Sequence, residues 1–416
     1  MNLPRRHLMI GLAGLAGTAA TYARAETPLT SDAPKGHVDT AVQRVPFYGP
    51  HQAGVTTPRP EAGIMAAFDV VVRDVDGLED MLRRLTERGA TLTAGGPVPE
   101  RDPNLPPADS GILGDNITPD NLTMTVSLGA SLFDKLEGLD RLRPRQLQRM
   151  VEFPNDALVP ANCHGDLSIQ FSANLPDTAM HALRDIVKNM SDALVLRWMQ
   201  EGNVPPVLPA ADGTTPSARN FLGFRDGSAN PDSNDADLMR NVVWVQDGAE
   251  PAWATGGTYQ VVRVIRNFVE RWDRARLSEQ EAIIGRRKMS GAPLDQPDAN
   301  EHTVPDYTAG DHTPMDAHIR MANPRGPDAD KHLILRRPFN YSNGIASNGQ
   351  LDQGLLFICY QADMELGFLT VQNRLNGEPL EEYIKPVGGG YFFTLPGVAN
   401  AGDYLGSALI MAARQS

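Results

Sequence analysis

Three short patches of the chain gather side chains that can bind a metal, move protons and stabilise negative charge. The first, Gly223-Phe224-Arg225-Asp226-Gly227-Ser228-Ala229-Asn230-Pro231, sets a carboxylate beside small residues. The second, Asp316-Ala317-His318-Ile319-Arg320-Met321-Ala322-Asn323-Pro324-Arg325, carries one imidazole and two guanidinium groups. The third, Ile334-Leu335-Arg336-Arg337, closes a strand-like segment. Neutral imidazole is a common metal ligand. A positioned carboxylate can shuttle a proton, and a guanidinium stays charged beside a developing anion. Singly, each patch has a plain structural reading. Asp-Gly is most often a turn, a lone histidine is usually a surface or satisfied one, and Arg-Arg on a strand usually marks an edge. Their combination and order carry the argument.

Other chemistries are excluded by what is missing. The nine histidines form no HExxH pair and there is no CxxC, so zincin and zinc-ribbon sites are out. No P-loop and no G-x-S-x-G elbow occurs. Gly388-Gly389-Gly390 precedes a strand rather than opening a helix, so it is no dinucleotide fingerprint. Two cysteines exclude a disulfide framework and an iron–sulfur site. Cys163 and Cys359 lie in or beside candidate strands and read as buried thiols, with a disulfide between them as the alternative. His164, in Cys163-His164-Gly165-Asp166, reads as structural. A formal charge of −13 argues against nucleic acid as a partner.

The elements that must position these groups follow an N-terminal address. Arg5 and Arg6, the uncharged run Leu8 to Ala20 and the small-x-small site Ala23-Arg24-Ala25 read as a signal peptide, residues 1–25, cut after Ala25. The arginine pair before a weakly apolar run points to twin-arginine export to the periplasm, with a general secretory signal as the alternative. Losing three arginines and no acid takes the mature charge to −16. The one other long apolar run, Gly354 to Ala362, is too short to span a bilayer, so no integral membrane segment is expected.

Proline-rich residues 26–60 read as an extended arm. Beyond it, period-2 and period-3.6 segments alternate twice. In residues 61–210, strands are expected at Ile64–Val72, Leu122–Leu128, Asp166–Ala173 and Ala193–Met199. Helices are expected around Leu78–Leu85, Ser131–Leu136 and Ala179–Asn189. In residues 211–416, strands are expected at Thr258–Asn267, His332–Arg336, Gly354–Gln361 and Gly390–Leu395, with helices at Leu277–Ile284 and Met364–Leu375. Each half is a split β-α-β arrangement: an α+β chain of two ferredoxin-like domains with antiparallel sheets. The acidic run Gly377 to Glu382 reads as a solvated turn and helix end. Trp198, Trp244, Trp253, Trp272, Tyr341 and Tyr360 read as core residues, with electron relay as the alternative.

In this order the three patches resemble the dye-decolourising peroxidase family, of which G-x-x-D-G is the signature. The closer resemblance is to its exported, EfeB-type deferrochelatase/peroxidase branch. It is carried by the arginine-pair start and by GQLDQGLLFICYQAD, RLNGEPLEEYIKPVGGGYFF and YLGSAL, and it covers nearly the whole mature chain. The resemblance implies two ferredoxin-like domains, one haem b per chain in the C-terminal half, and an even-numbered homo-oligomer. It implies His318 as proximal iron ligand, Asp226 as distal acid and Arg336 as distal arginine, with Arg337 as the neighbour if the register slips by one. It implies that Asp363 hydrogen-bonds the proximal imidazole, that Gly227, Ser228 and Ala229 line the distal face, and that Asn323, Pro324 and Arg325 lie near the haem edge. Arg286 and Arg325 are the expected propionate partners. Pro338 stands where some relatives carry asparagine.

The implied chemistry is coherent. A carboxylate behind an iron-bound imidazole makes it more electron-rich. Asp226 would move a proton between the two oxygens of hydrogen peroxide, and Arg336 would stabilise the leaving hydroxide. The leading expectation is a haem peroxidase oxidising aromatic or porphyrin-type donors. The alternatives are a deferrochelatase, which takes iron from haem and leaves the porphyrin intact within a periplasmic iron-uptake system, and a haem carrier. A carrier has no need of a distal acid and arginine.

Overall fold

The computed structural model describes residues 42–209, 215–308 and 310–415. The expected signal peptide, residues 1–25, lies outside the described residues, as does the arm before Val42.

The first half runs β1 (Ala62–Val70), α1 (Val75–Ala94), β2 (Thr123–Gly129), β3 (Leu167–Ala173), α2 (Pro176–Asn189) and β4 (Leu194–Asn203). The second runs β5 (Thr258–Asn267), α3 (Leu277–Ile284), α4 (His318–Ala322), β6 (Phe339–Ile345), β7 (Leu351–Gln361), α5 (Thr370–Leu375) and β8 (Ile384–Thr394). The pairing order β4-β1-β3-β2 in one half is matched by β8-β5-β7-β6 in the other. Both read fourth-first-third-second, the split β-α-β order expected, and every pairing is antiparallel.

The two sheets join through Phe392–Thr394 of β8 against Ser127–Gly129 of β2, and through the single pair Asn203–Asn340 of β4 and β6. The order therefore returns to its start and eight strands form a ring. At each join the fourth strand of one half meets the second strand of the other.

Ring closure explains the long apolar run of β1. Ile64, Ala66, Phe68 and Val70 face out and are covered by Leu78, Met81, Leu82 and Leu85 of α1 and by Ala182, Leu183 and Ile186 of α2. Met65 and Ala67 face into the ring with Val262, Phe339, Tyr341, Tyr360 and Phe392. Strands buried on both faces need no alternation of polar and apolar residues. The arm is fastened across the β2–β8 join. Gln52 donates to the carbonyls of Val126 and Leu395 and accepts from the Val126 amide, all at 2.8–2.9 Å.

Three segments differ from expectation. Of His332–Arg336 only Leu335–Arg336 pair as a strand, because Ala329–His332 form a 3-10 turn. Met364–Leu375 is not one helix. Glu365–Leu369 form a π-type turn with Gly367 outside helical backbone, and α5 begins at Thr370. The sequence reading had no strand at β6. Pro338, which lacks an N–H, separates it from Leu335–Arg336, and its second part is exposed. Cys163 and Cys359 are free and buried, and the four tryptophans with Tyr341 and Tyr360 are core residues. His164 sits at φ 63° and its amide donates to Gly389 O at 2.7 Å, a backbone role at the ring wall.

The weakest join, β4 to β6, is held by packing. Phe339 is 1% exposed, and a Cβ placed on Gly63 or Gly202 would lie 2.6 Å from it. Gly202→Ala should therefore cost about 1–3 kcal/mol. It should lower the urea midpoint at constant m-value; an unchanged midpoint would mean that the join tolerates the methyl group.

Candidate active site

The outer face of the second sheet carries the site. Arg263, Ile265 and Asn267 of β5 and Leu355 and Phe357 of β7 form one wall of a cavity of about 280 Å³. A water needs roughly 10–15 Å³ on such a measure, so the space suits a ligand of many heavy atoms. Facing the sheet are His318, Ile319 and Ala322 of α4, Phe368, and Val371, Gln372 and Leu375 of α5. Asp226 to Ala229, Arg286, Asn323, Arg325 and Arg336 complete the lining, and Pro324 sits between two of them. All three patches thus converge.

The G-x-x-D-G loop is a tight construction. Gly223 has φ +87°, where a side chain is strained, and a Cβ on Gly227 would come within 2.7 Å of Ser217 Cβ. Behind the loop lies Glu301, 3% exposed. Its carboxylate accepts from the Ser217 amide at 2.8 Å, the Ser217 hydroxyl, and the Ser228 hydroxyl at 3.1 Å. Asn230 ties the loop to the third patch: its side chain accepts from the Arg336 amide at 2.8 Å and donates to the Arg336 carbonyl at 3.0 Å. The Arg336 guanidinium then reaches Asp226 Oδ1 at 3.1 Å.

Strand alternation separates the two arginines. Arg336 lines the cavity; Arg337 is 5% exposed and lies near Tyr360. Burial pulls the Arg337 guanidinium down to about 10, and among the described residues its Nε and Nη2 find no acceptor. Arg336, not its neighbour, is therefore the cavity arginine.

On the opposite side His318 opens α4. Its Nδ1 is 2.7 Å from Glu378 Oε2, leaving Nε2 as the free ring nitrogen. This corrects two expectations. The imidazole partner is Glu378 rather than Asp363, whose carboxylate instead caps the π-type turn by accepting from the Leu366 amide at 2.8 Å. The GEPLEE run is not wholly solvated, since Glu378 is 5% exposed. A third of the His318 side chain is accessible, and it lines the cavity. Burial disfavours its charged form; the Glu378 carboxylate outweighs this, and the imidazole titrates above its ordinary value.

Cations cluster at one side. Arg286 donates to the carbonyls of Gly291 and Glu301 at 2.8 and 3.0 Å, and burial, helped by Arg325 and Arg336, lowers its pKa. Arg325 holds a left-handed φ of 59°, costly for a non-glycine residue. Burial raises the pKa of the nearby Tyr307 hydroxyl. Sequence reasoning missed Glu378, Glu301, Tyr307 and a role for Asn230. Only Asn230 had a local signal, its place in the first patch. The others reach the site from 60 to 84 residues away or across a loop.

One free imidazole nitrogen backed by a carboxylate, an apolar slot, a facing acid–guanidinium pair and a rim of arginines suit a planar, dianionic metal macrocycle. These features define a haem site. Two family models match the chain: Dyp-type peroxidase, N-terminal, over residues 52–203, and Dyp-type peroxidase, C-terminal, over residues 217–399. Among curated proteins, the deferrochelatase of Escherichia coli O6:K15:H31 is 52% identical, covering 98% of this chain and 96% of its own. That of Shigella boydii serotype 4 is 51% identical, covering 99% and 98%. Among solved structures, a DyP-type peroxidase from Cellulomonas bogoriensis matches with a TM-score of 0.78, and ferric DtpA from Streptomyces lividans with 0.80. Both are 34% identical and cover 89% of this chain and 99% of their own. The chain belongs to the Dyp-type peroxidase family, and is a haem-dependent peroxidase.

Replacing Glu378 by Gln keeps the hydrogen bond and removes the charge. Peroxidase turnover should fall about 10- to 100-fold with haem still bound. Full activity in that variant would remove Glu378 from the proximal arrangement.

Proposed function

We propose that His318 would hold haem iron through Nε2, with Glu378 orienting and enriching the ring, and that Asp226 and Arg336 work on peroxide at their own face of the cavity. The observation that carries this is the 3.1 Å contact of Arg336 with Asp226 in the same cavity as His318. A haem held by His318 would supply the electrons needed to cleave the O–O bond. The Asp226 carboxylate takes the proton from one peroxide oxygen and returns it to the departing oxygen. Arg336, fixed by Asn230 and always charged, stabilises the hydroxide as it leaves. Gly227, Ser228 and Ala229 bring backbone close to that face. Arg286 and Arg325, with Asn323 and Pro324 beside them, take the carboxylates of the porphyrin. Aromatic or porphyrin-type molecules serve as electron donors.

We further propose that the chain is exported through the twin-arginine route and works in the periplasm, in agreement with its first 25 residues. Among the described residues no helix is long and apolar enough to cross a membrane. Removal of iron from haem with the ring left intact is the second reading, favoured by the name of relatives about half identical over their whole length.

His318→Ala should lose the Soret band of the purified protein, or shift it to that of a differently ligated haem. Asp226→Asn and Arg336→Leu should keep the band but lower the second-order rate with peroxide by about 10²–10⁴-fold. Wild-type rates in both would refute the assignment. Iron removal is tested by metal-free porphyrin fluorescence and ferrous iron appearing in equal amounts without ring-opened products.

A further inference from the structure

Arg59 is the least explained charge near the site. It comes from the proline-flanked arm, Pro58-Arg59-Pro60, yet its guanidinium reaches Pro338, two residues beyond Arg336. Nη1 donates to the Pro338 carbonyl at 2.5 Å, and the group lies 6.0 Å from the centre of the Phe339 ring. Among the described residues it makes no ion pair, although burial works against its charge. The charges it feels are those of the proposed peroxide pair, Asp226 attracting and Arg336 repelling, and Arg337 feels Arg59 in turn. Arg59 thus lies within electrostatic reach of both members of the pair, and of Arg337 on the other side of the strand. Holding unpaired positive charge in a half-buried place costs stability, and packing alone would be served as well by an apolar side chain.

We propose that Arg59 is a positioning residue of the peroxide site. Through the Pro338 carbonyl it fixes the segment Arg336-Arg337-Pro338, and its charge makes the face opposite His318 more favourable to anions. The proline is part of the device. It interrupts the strand between Arg336 and Phe339, and Arg59 takes up its carbonyl. The inference rests on the assignment of Asp226 and Arg336 above. It predicts that the arm, a segment outside both sheets, sets the electrostatics of a cavity in the second half.

The test compares wild type, Arg59→Met and Arg59→Lys as full-length, haem-loaded proteins at one pH. Fluoride, an anion, and imidazole, a neutral ligand, are titrated against the ferric haem by absorption, and the second-order rate with peroxide is measured. Arg59→Met should weaken fluoride binding roughly tenfold, the order expected for one unit charge acting through a protein interior. It should leave imidazole affinity unchanged and slow the peroxide step. Arg59→Lys should recover most of the fluoride affinity. Equal losses for fluoride and imidazole would show a merely structural residue, and no loss for either would remove Arg59 from the site; each overturns the proposal. If Arg59→Met fails to hold haem, Arg59→Lys decides alone: fluoride affinity near wild type supports the charge role, and a loss equal to that of imidazole refutes it. Failure of the underlying assignment would look different, because Asp226→Asn and Arg336→Leu would then keep wild-type peroxide rates whatever Arg59 does.

Discussion

Two consecutive residues on a strand cannot share a face, and much of this structure follows from that constraint at Arg336 and Arg337. One guanidinium is delivered to the cavity, where Asp226 meets it. The other must then enter the ring of strands. That interior contains polar groups in place of a purely aliphatic filling. Tyr360 donates to Gln170 at 2.7 Å and accepts from Gln260 at 2.8 Å, and Ser168 donates to Gln260 at 3.2 Å. The same strand can be held so firmly because Asn230 grips both backbone groups of Arg336. Position along the strand, rather than side-chain freedom, sets which guanidinium meets Asp226.

The cavity shows a division of labour between sheet and loops. The sheet contributes a stiff wall from β5 and β7. The G-x-x-D-G loop, braced by Glu301, supplies the acid. A helix of five residues supplies the imidazole, and a buried glutamate from after α5 orients it. Three separate pieces of chain thus meet within one space, each fixed by buried polar partners of its own.

Those features account for what could and could not be read from the residues. Strands such as β5, with the continuous run Tyr259 to Ile265, announce themselves, and β5 and α3 fall where the periodicity put them. The three patches carry their chemistry in their own text. β6 was invisible because Phe339-Asn340-Tyr341-Ser342-Asn343-Gly344 lacks a sustained pattern and follows a proline. Glu378 was hidden for another reason. In GEPLEE it is one acid of three, and only a fold that brings it against His318, sixty residues earlier, separates it from its solvated neighbours. Asp363 stood in its place because the resemblance runs along the text, which holds no distance between that carboxylate and His318. The clamp on Arg336 by Asn230 was hidden too, since it spans 106 residues.

The crossed joins of the ring, fourth strand of each half on second strand of the other, also decide how the protein behaves toward its own kind. A ferredoxin-like sheet standing alone has two open edges, each a row of unsatisfied amides and carbonyls on which another chain can build. Here Phe392–Thr394 of β8 cover part of the open edge of β2, and Asn203 of β4 pairs with Asn340 of β6. On the wall of the ring, the side chains of Arg197 and Trp198 of β4 donate to the carbonyls of Cys163 and His164. The pairing of two like sheets, one of which walls the cavity, thereby also closes part of their edges to strand-by-strand growth.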